Sequence, residues 1–136
     1  DLSANALSRA NARLGNRAST IIWVEANITE AILSEGAYDL WHDRAVFHFL
    51  TSSTDRSLYI KTMLRALKPN GRIIMDTFSE DGPSKCSGLP VMRYSPIKLH
   101  AELGESVEFL RSEDALHTTP SGNAQKFVYC EFRKKS

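Results

Sequence analysis

Three polar residues, His42, Asp43 and Arg44, follow the run Tyr38-Asp39-Leu40-Trp41 and precede the apolar Ala45-Val46-Phe47. The pattern implies a strand buried along its length and open at its end, with its neighbours packed inward, which suits the floor of a ligand cleft. His42 or Asp43 placed there could take a proton as a general base. The more common reading of His42, and of His48, is a hydrogen-bonded structural histidine, while His100 and His117 carry no discriminating context. Cys86 could present a thiol to a substrate, although an inert loop cysteine is the more frequent case. The two cysteines, Cys86 and Cys130, form no CxxC pair and stand at no short Cys/His spacing, so neither a zinc site nor a disulfide framework is predicted.

The elements around these residues can be read from periodicity. Ala6, Leu7, Ala10 and Leu14 recur at helical spacing between Ser3, a capping residue, and Gly15, a stop. Thr20-Ile21-Ile22-Trp23-Val24 is β-branched, aromatic and apolar on successive positions, which predicts a strand buried on both faces. A short helix is expected next, then the strand Tyr38-Asp39-Leu40-Trp41-His42. Leu58, Tyr59, Met63, Leu64 and Leu67 form a helical stripe over 55–67, stopped by Lys68-Pro69-Asn70-Gly71 before the strand Arg72-Ile73-Ile74-Met75-Asp76. Residues 79–96, broken by Gly82, Pro83, Gly88, Pro90 and Pro96, predict a long surface loop, and loops of that length are often functional. A short helix over 97–103 leads to two strands, 106–116 and 126–132, joined through Thr119-Pro120-Ser121-Gly122-Asn123 as an antiparallel hairpin.

This order predicts an α/β fold: a doubly wound, mostly parallel sheet, with 20–25, 38–42 and 72–77 as its parallel strands and a C-terminal antiparallel hairpin. Ligands in such sheets bind beyond the carboxyl ends of the strands, at Asp1, Asn27, His42-Asp43-Arg44 and Thr77-Phe78. The 136 residues fit a single domain. With 17 basic and 16 acidic residues the net charge is +1, which gives no broad attraction to nucleic acid or to an anionic membrane. The one basic run, Arg133-Lys134-Lys135, reads as a solubilising tail. There is no apolar run near 18 residues and no signal-peptide pattern, and a cytoplasmic, reducing setting is expected.

Four short segments in order resemble the class I S-adenosylmethionine-dependent methyltransferases. Asp1-Leu2-Ser3 before an Ala-rich helix is similar to the acidic segment after that family's strand 2, and Ala26-Asn27-Ile28 to the adenine-contacting segment after strand 3. Tyr38 to Arg44 resembles the strand 4 motif, and Leu67-Lys68-Pro69-Asn70-Gly71-Arg72 the turn into strand 5. The resemblance implies S-adenosylmethionine as cofactor and methyl transfer to a small-molecule acceptor. Under it, Asp1 would accept hydrogen bonds from both ribose hydroxyls, with a carboxylate's added strength, and Leu2 would lie against the adenine. Asn27, where the family usually has an acid, would accept from the exocyclic amine, with Ile28 beside it. His42, Asp43 and Arg44 would lie near the methionine part, and the loop 79–96 would cover the acceptor side. Transfer from a sulfonium to a soft nucleophile needs mainly alignment, so a general base is not demanded.

The family's strand 1 and its glycine-rich loop would precede Asp1 and are not in the sequence, so the resemblance implies an N-terminally incomplete, truncated domain with exposed strand edges. Two expectations compete: an enzyme with its N-terminal part present in the natural product, or a non-catalytic module derived from one that does not bind cofactor. Exposed edges also predict a homodimer.

Overall fold

The computed structural model describes residues 1–136, which divide into two compact units, Asp1–Ile32 and Leu33–Ser136. In the first unit, α1 (Ala4–Leu14) begins where the Ser3 hydroxyl accepts the Ala6 N–H at 3.1 Å and ends at Gly15, whose φ of 56° is the left-handed conformation that glycine tolerates. The chain continues as a 3-10 helix, Gly15–Thr20, in which the Ser19 and Thr20 hydroxyls bond back to the carbonyls of Asn16 and Arg17.

The predicted strand at 20–25 is not formed. Thr20 closes the 3-10 helix, Ile21 is extended, and residues 21–25 join no ladder. Within this unit their backbone partners are Ala18, which accepts from Ile21, and Asp1, whose backbone nitrogen donates to the Val24 carbonyl and whose carbonyl accepts from Ala26, both at 3.0 Å. Ile22 is 87% exposed, so the run is not buried on both faces. β-propensity describes how a side chain suits a pleated surface, and without a neighbouring strand it yields extended chain but no sheet. The short helix expected after it is a turn at 28–30.

The second unit carries the predicted α/β layer with its C-terminal antiparallel hairpin, but with 20–25 outside the sheet the strands are not mostly parallel: Tyr38–Arg44 and Leu67–Phe78 form its one parallel pair. β1 (Tyr38–Arg44) leads through a 3-10 turn at Phe47–Phe49 and α2 (Ser53–Ala66) to β2 (Leu67–Phe78), parallel to β1. The short strands β3 (Lys85–Cys86) and β4 (Leu89–Pro90), α3 (Pro96–Leu103), β5 (Val107–Thr118) and β6 (Ala124–Lys134) follow. The sheet order is β1-β2-β6-β5, with both pairings of β6 antiparallel. Ile73, Met75 and Thr77 on β2 stand opposite Phe132, Cys130 and Val128 on β6, all buried, so one face of the sheet is core. Tyr59, Met63 and Ala66 of α2 and Leu99 and Leu103 of α3 are buried too, with α2 against β2 and α3 against β5. Burial pushes the Cys130 thiol up to about 11, which makes it an inert core group.

Two local features differ from a plain reading of the turn residues. Lys68-Pro69-Asn70-Gly71 does not separate helix from strand but bulges out of β2, since Tyr38 faces Leu67 and Leu40 faces Arg72. The loop 79–96 contains the β3–β4 hairpin, whose two-residue turn Ser87-Gly88 has positive φ at both positions. The loop starts against β6, because Ser79 donates to the Lys126 carbonyl and Gly82 to the Ser79 carbonyl. A Cβ at Gly82 would stand 2.7 Å from the Lys126 oxygen and 3.0 Å from that of Ser79, both backbone atoms. Gly82→Ala is therefore expected to lower the unfolding free energy by about 1–3 kcal/mol in denaturant titration; an unchanged midpoint would contradict this close approach.

Candidate cofactor site

At the carboxyl end of β1 the three polar residues part company. His42 and Arg44 are exposed, while Asp43 between them is 4% exposed, as alternation along a strand requires. The Asp43 carboxylate turns inward and caps the 3-10 turn that follows. Its Oδ1 accepts the Val46 N–H at 2.9 Å and its Oδ2 the Phe47 N–H at 3.1 Å. The Tyr59 hydroxyl on α2 donates to the same Oδ2, and the Trp41 indole N–H donates to that hydroxyl at 2.8 Å. Burial pushes the Asp43 carboxyl above its usual range, with Tyr59 and the two backbone donors pulling it back.

These bonds hold an otherwise unfavourable backbone. Ala45 sits at φ 59°, a conformation that costs a residue with a Cβ about 1–2 kcal/mol. Its N–H donates to the Asp76 carbonyl at 2.9 Å, which ties the turn to the end of β2. The geometry thus gives Asp43 a supporting part, with both oxygens engaged inside the protein, and leaves His42 and Arg44 as the groups presented outward.

Beside them, Asp76 on β2 is 1% exposed, flanked across the sheet by Arg44 and Tyr129. Burial raises its pKa, against the opposing effects of Tyr129 and Arg44, whose Nε is 3.9 Å from Oδ2. Asp76 Oδ1, Thr77 Oγ1, His48 Nε2 and the Tyr94 hydroxyl are buried without a hydrogen-bond partner. His48 is a structural histidine in its other nitrogen: Nδ1 accepts the Phe78 N–H at 3.2 Å, and the His48 carbonyl accepts the Met92 N–H at 2.7 Å. Together with the Tyr94 N–H on the Phe78 carbonyl, these bonds fasten the returning limb of the loop 79–96 to the strand ends.

In the first unit, the structure brings Asp1 and the segment around Asn27 together through the Asp1 backbone bonds to Val24 and Ala26. Asp1 Oδ1 accepts the Ser3 N–H at 2.8 Å, which leaves Oδ2 for another donor. Asn27 Oδ1 accepts the Thr29 N–H at 3.1 Å, so its amide oxygen already serves a turn and keeps one lone pair. Leu2 is exposed, and Ile28 half-buried. Tyr59, Asp76 and the left-handed Ala45 escaped sequence reasoning. Tyr59 is one of the apolar positions of the α2 stripe, and only its hydroxyl at a core position hinted at a polar partner.

Burial lowers the His48 pKa from 6.5 to about 4. The folded ring therefore stays neutral down to about pH 4, while the unfolded chain takes up the proton below about pH 6.5. Stability from this group is complete above pH 6.5 and falls by about 3 kcal/mol as the pH drops towards 4. Asp43 and Asp76, whose pKa values are raised, act in the opposite sense. His48→Asn, which can still accept the Phe78 N–H, isolates the contribution: between pH 7 and 4.5 the wild type should lose about 2–3 kcal/mol more than the variant in denaturant unfolding. Equal losses would contradict the buried neutral ring.

A family model described as a methyltransferase domain matches residues 1–75. No curated protein matches the chain significantly. Among solved structures, the N-methyltransferase NodS from Bradyrhizobium japonicum WM9 is 17% identical with a TM-score of 0.74, over 100% of this chain and 71% of NodS. NodS has also been solved in complex with S-adenosyl-L-homocysteine. An S-adenosylmethionine-dependent methyltransferase from Mesorhizobium loti is 17% identical with a TM-score of 0.73, over 98% of this chain and 78% of its own. A structure described for the conversion of a disulfide bond into a thioacetal group during echinomycin biosynthesis gives 16% and 0.75, and this chain spans 64% of its length. At such identities the structures speak for the fold, and it is the fold expected from the four sequence segments. With the family model covering more than half of the residues, the chain belongs to the methyltransferase domain family, in the class I S-adenosylmethionine-dependent fold.

Proposed function

We propose that this chain serves S-adenosylmethionine-dependent methyl transfer to a small-molecule acceptor. The observation that carries the reading is the family match over residues 1–75, which spans both sets of residues assigned to the cofactor. In the first unit, Asp1 keeps Oδ2 available for the vicinal ribose hydroxyls, and Asn27 keeps one lone pair for the adenine amine. Leu2 and Ile28 offer apolar surface to the base. In the second unit, His42 and Arg44 stand at the methionine end, and Arg44 supplies a guanidinium for a carboxylate. Asp43 holds the turn that carries them.

When bound, the cofactor would supply an electrophilic methyl group on a sulfonium, which the acceptor's lone pair would take up as the sulfur–methyl electron pair returned to sulfur. What the protein contributes is alignment, which is worth several kcal/mol. His42, exposed and beside the strand end, is the group available to take a proton from an acceptor that must lose one. The small-molecule acceptor is supported by the loop 79–96, which follows the carboxyl end of β2 and contains the short β3–β4 hairpin. Homodimerisation through strand edges finds support in the two outer strands, β1 and β5, each paired on one side only.

Calorimetric titration of S-adenosylhomocysteine into the intact natural protein tests the reading. Asp1→Ala should weaken binding by about 1.5–3 kcal/mol, the scale for a charged hydrogen-bonding partner. Unchanged affinity would mean that the ribose is held elsewhere.

A further inference from the structure

The Tyr59 hydroxyl lies on α2, with its ring buried in the core among Trp41 and Phe47. It is nevertheless one bond away from the turn at the ligand end of the sheet. The hydroxyl donates to Asp43 Oδ2, the same oxygen that accepts the Phe47 N–H, and Asp43 Oδ1 accepts from Val46. Ala45, in its left-handed conformation, is bracketed by these contacts, and Arg44 and His42 leave β1 immediately before it. A tyrosine at this core position needs one acceptor, and Asp43 is that acceptor; a phenylalanine would fill the same space and leave the carboxylate to two backbone donors.

We propose that Tyr59 is a positioning residue for the cofactor: by holding the Asp43 carboxylate in one orientation it fixes the 44–47 turn and so the direction in which His42 and Arg44 are presented. The inference rests on the assignment of this strand end to S-adenosylmethionine. A residue that orders a binding turn acts on affinity through the cost of ordering it, because a turn that is loose in the free protein must be fixed when the ligand arrives. A residue that only fills the core would change stability and leave affinity alone.

Two single variants separate these roles. Tyr59→Phe keeps the ring and removes the donor to Asp43. Trp41→Phe removes the indole donor to Tyr59 and leaves the Tyr59–Asp43 bond in place. S-adenosylhomocysteine affinity is measured by calorimetry in the intact natural protein, with thermal melting of each variant alongside. Tyr59→Phe should weaken binding roughly 5- to 20-fold, within the range of ordinary coupling between a distant residue and a ligand, and Trp41→Phe should stay within about 2-fold of wild type. Tyr59→Phe within 2-fold of wild type, or both variants weakened alike in step with their melting temperatures, would overturn the proposal. A wild type that does not bind S-adenosylhomocysteine would instead refute the cofactor assignment, and the inference with it.

Discussion

A carboxylate removed from water must find hydrogen-bond donors, and at the end of β1 Asp43 finds three: two backbone N–H groups and the Tyr59 hydroxyl. Taking one away would leave a buried charge short of partners, so the chain around it has little freedom. The turn must bring Val46 and Phe47 to the carboxylate, which places Ala45 in a conformation it would not otherwise adopt. The 3-10 turn at 47–49 starts where the carboxylate caps it, and that turn puts His48 against the end of β2. The shape of the ligand end of the sheet thus follows from the satisfaction of one buried group.

The same constraint divides labour along the strand. Alternation sends Asp43 to the core face and its neighbours His42 and Arg44 to the other, so a single strand end has one residue that builds and two that can bind. A second tie, through His48, Phe78, Met92 and Tyr94, attaches the loop 79–96 to the same place. The turn after β1 and the loop 79–96 are in this way anchored to adjacent strand ends, which would suit the proposed transfer, whose rate depends on alignment.

Much of this was legible in the residue pattern. β1, β2, the helix between them and the β5–β6 hairpin follow from the residue pattern, and the β5–β6 ladder joins neighbouring sequence, whereas β2 takes its second neighbour, β6, from the far end of the chain. The run at 20–25 has the composition of a strand and lacks only a neighbouring strand, which composition does not encode. Within the site, His42-Asp43-Arg44 stood out as polar residues ending a strand that reads as buried; in the structure Tyr38 to Leu40 are exposed, and which of the three polar residues turns inward depends on register against β2. Tyr59 gave almost no signal, since a tyrosine within an apolar stripe looks like any core aromatic until its hydroxyl has a partner. Asp76 likewise looked like the polar end of a strand, although its neighbours Arg44 and Tyr129 come from two other strands.

The central proposal is that the cofactor meets the turn after β1, where His42 and Arg44 are presented. Amide resonances followed by nuclear magnetic resonance during titration with S-adenosylhomocysteine test it most directly. The expected result is that His42 through Phe47 shift as the ligand is added, while the β5–β6 turn at 119–123 stays still. Shifts confined to the hairpin, with His42 through Phe47 unmoved, would contradict it.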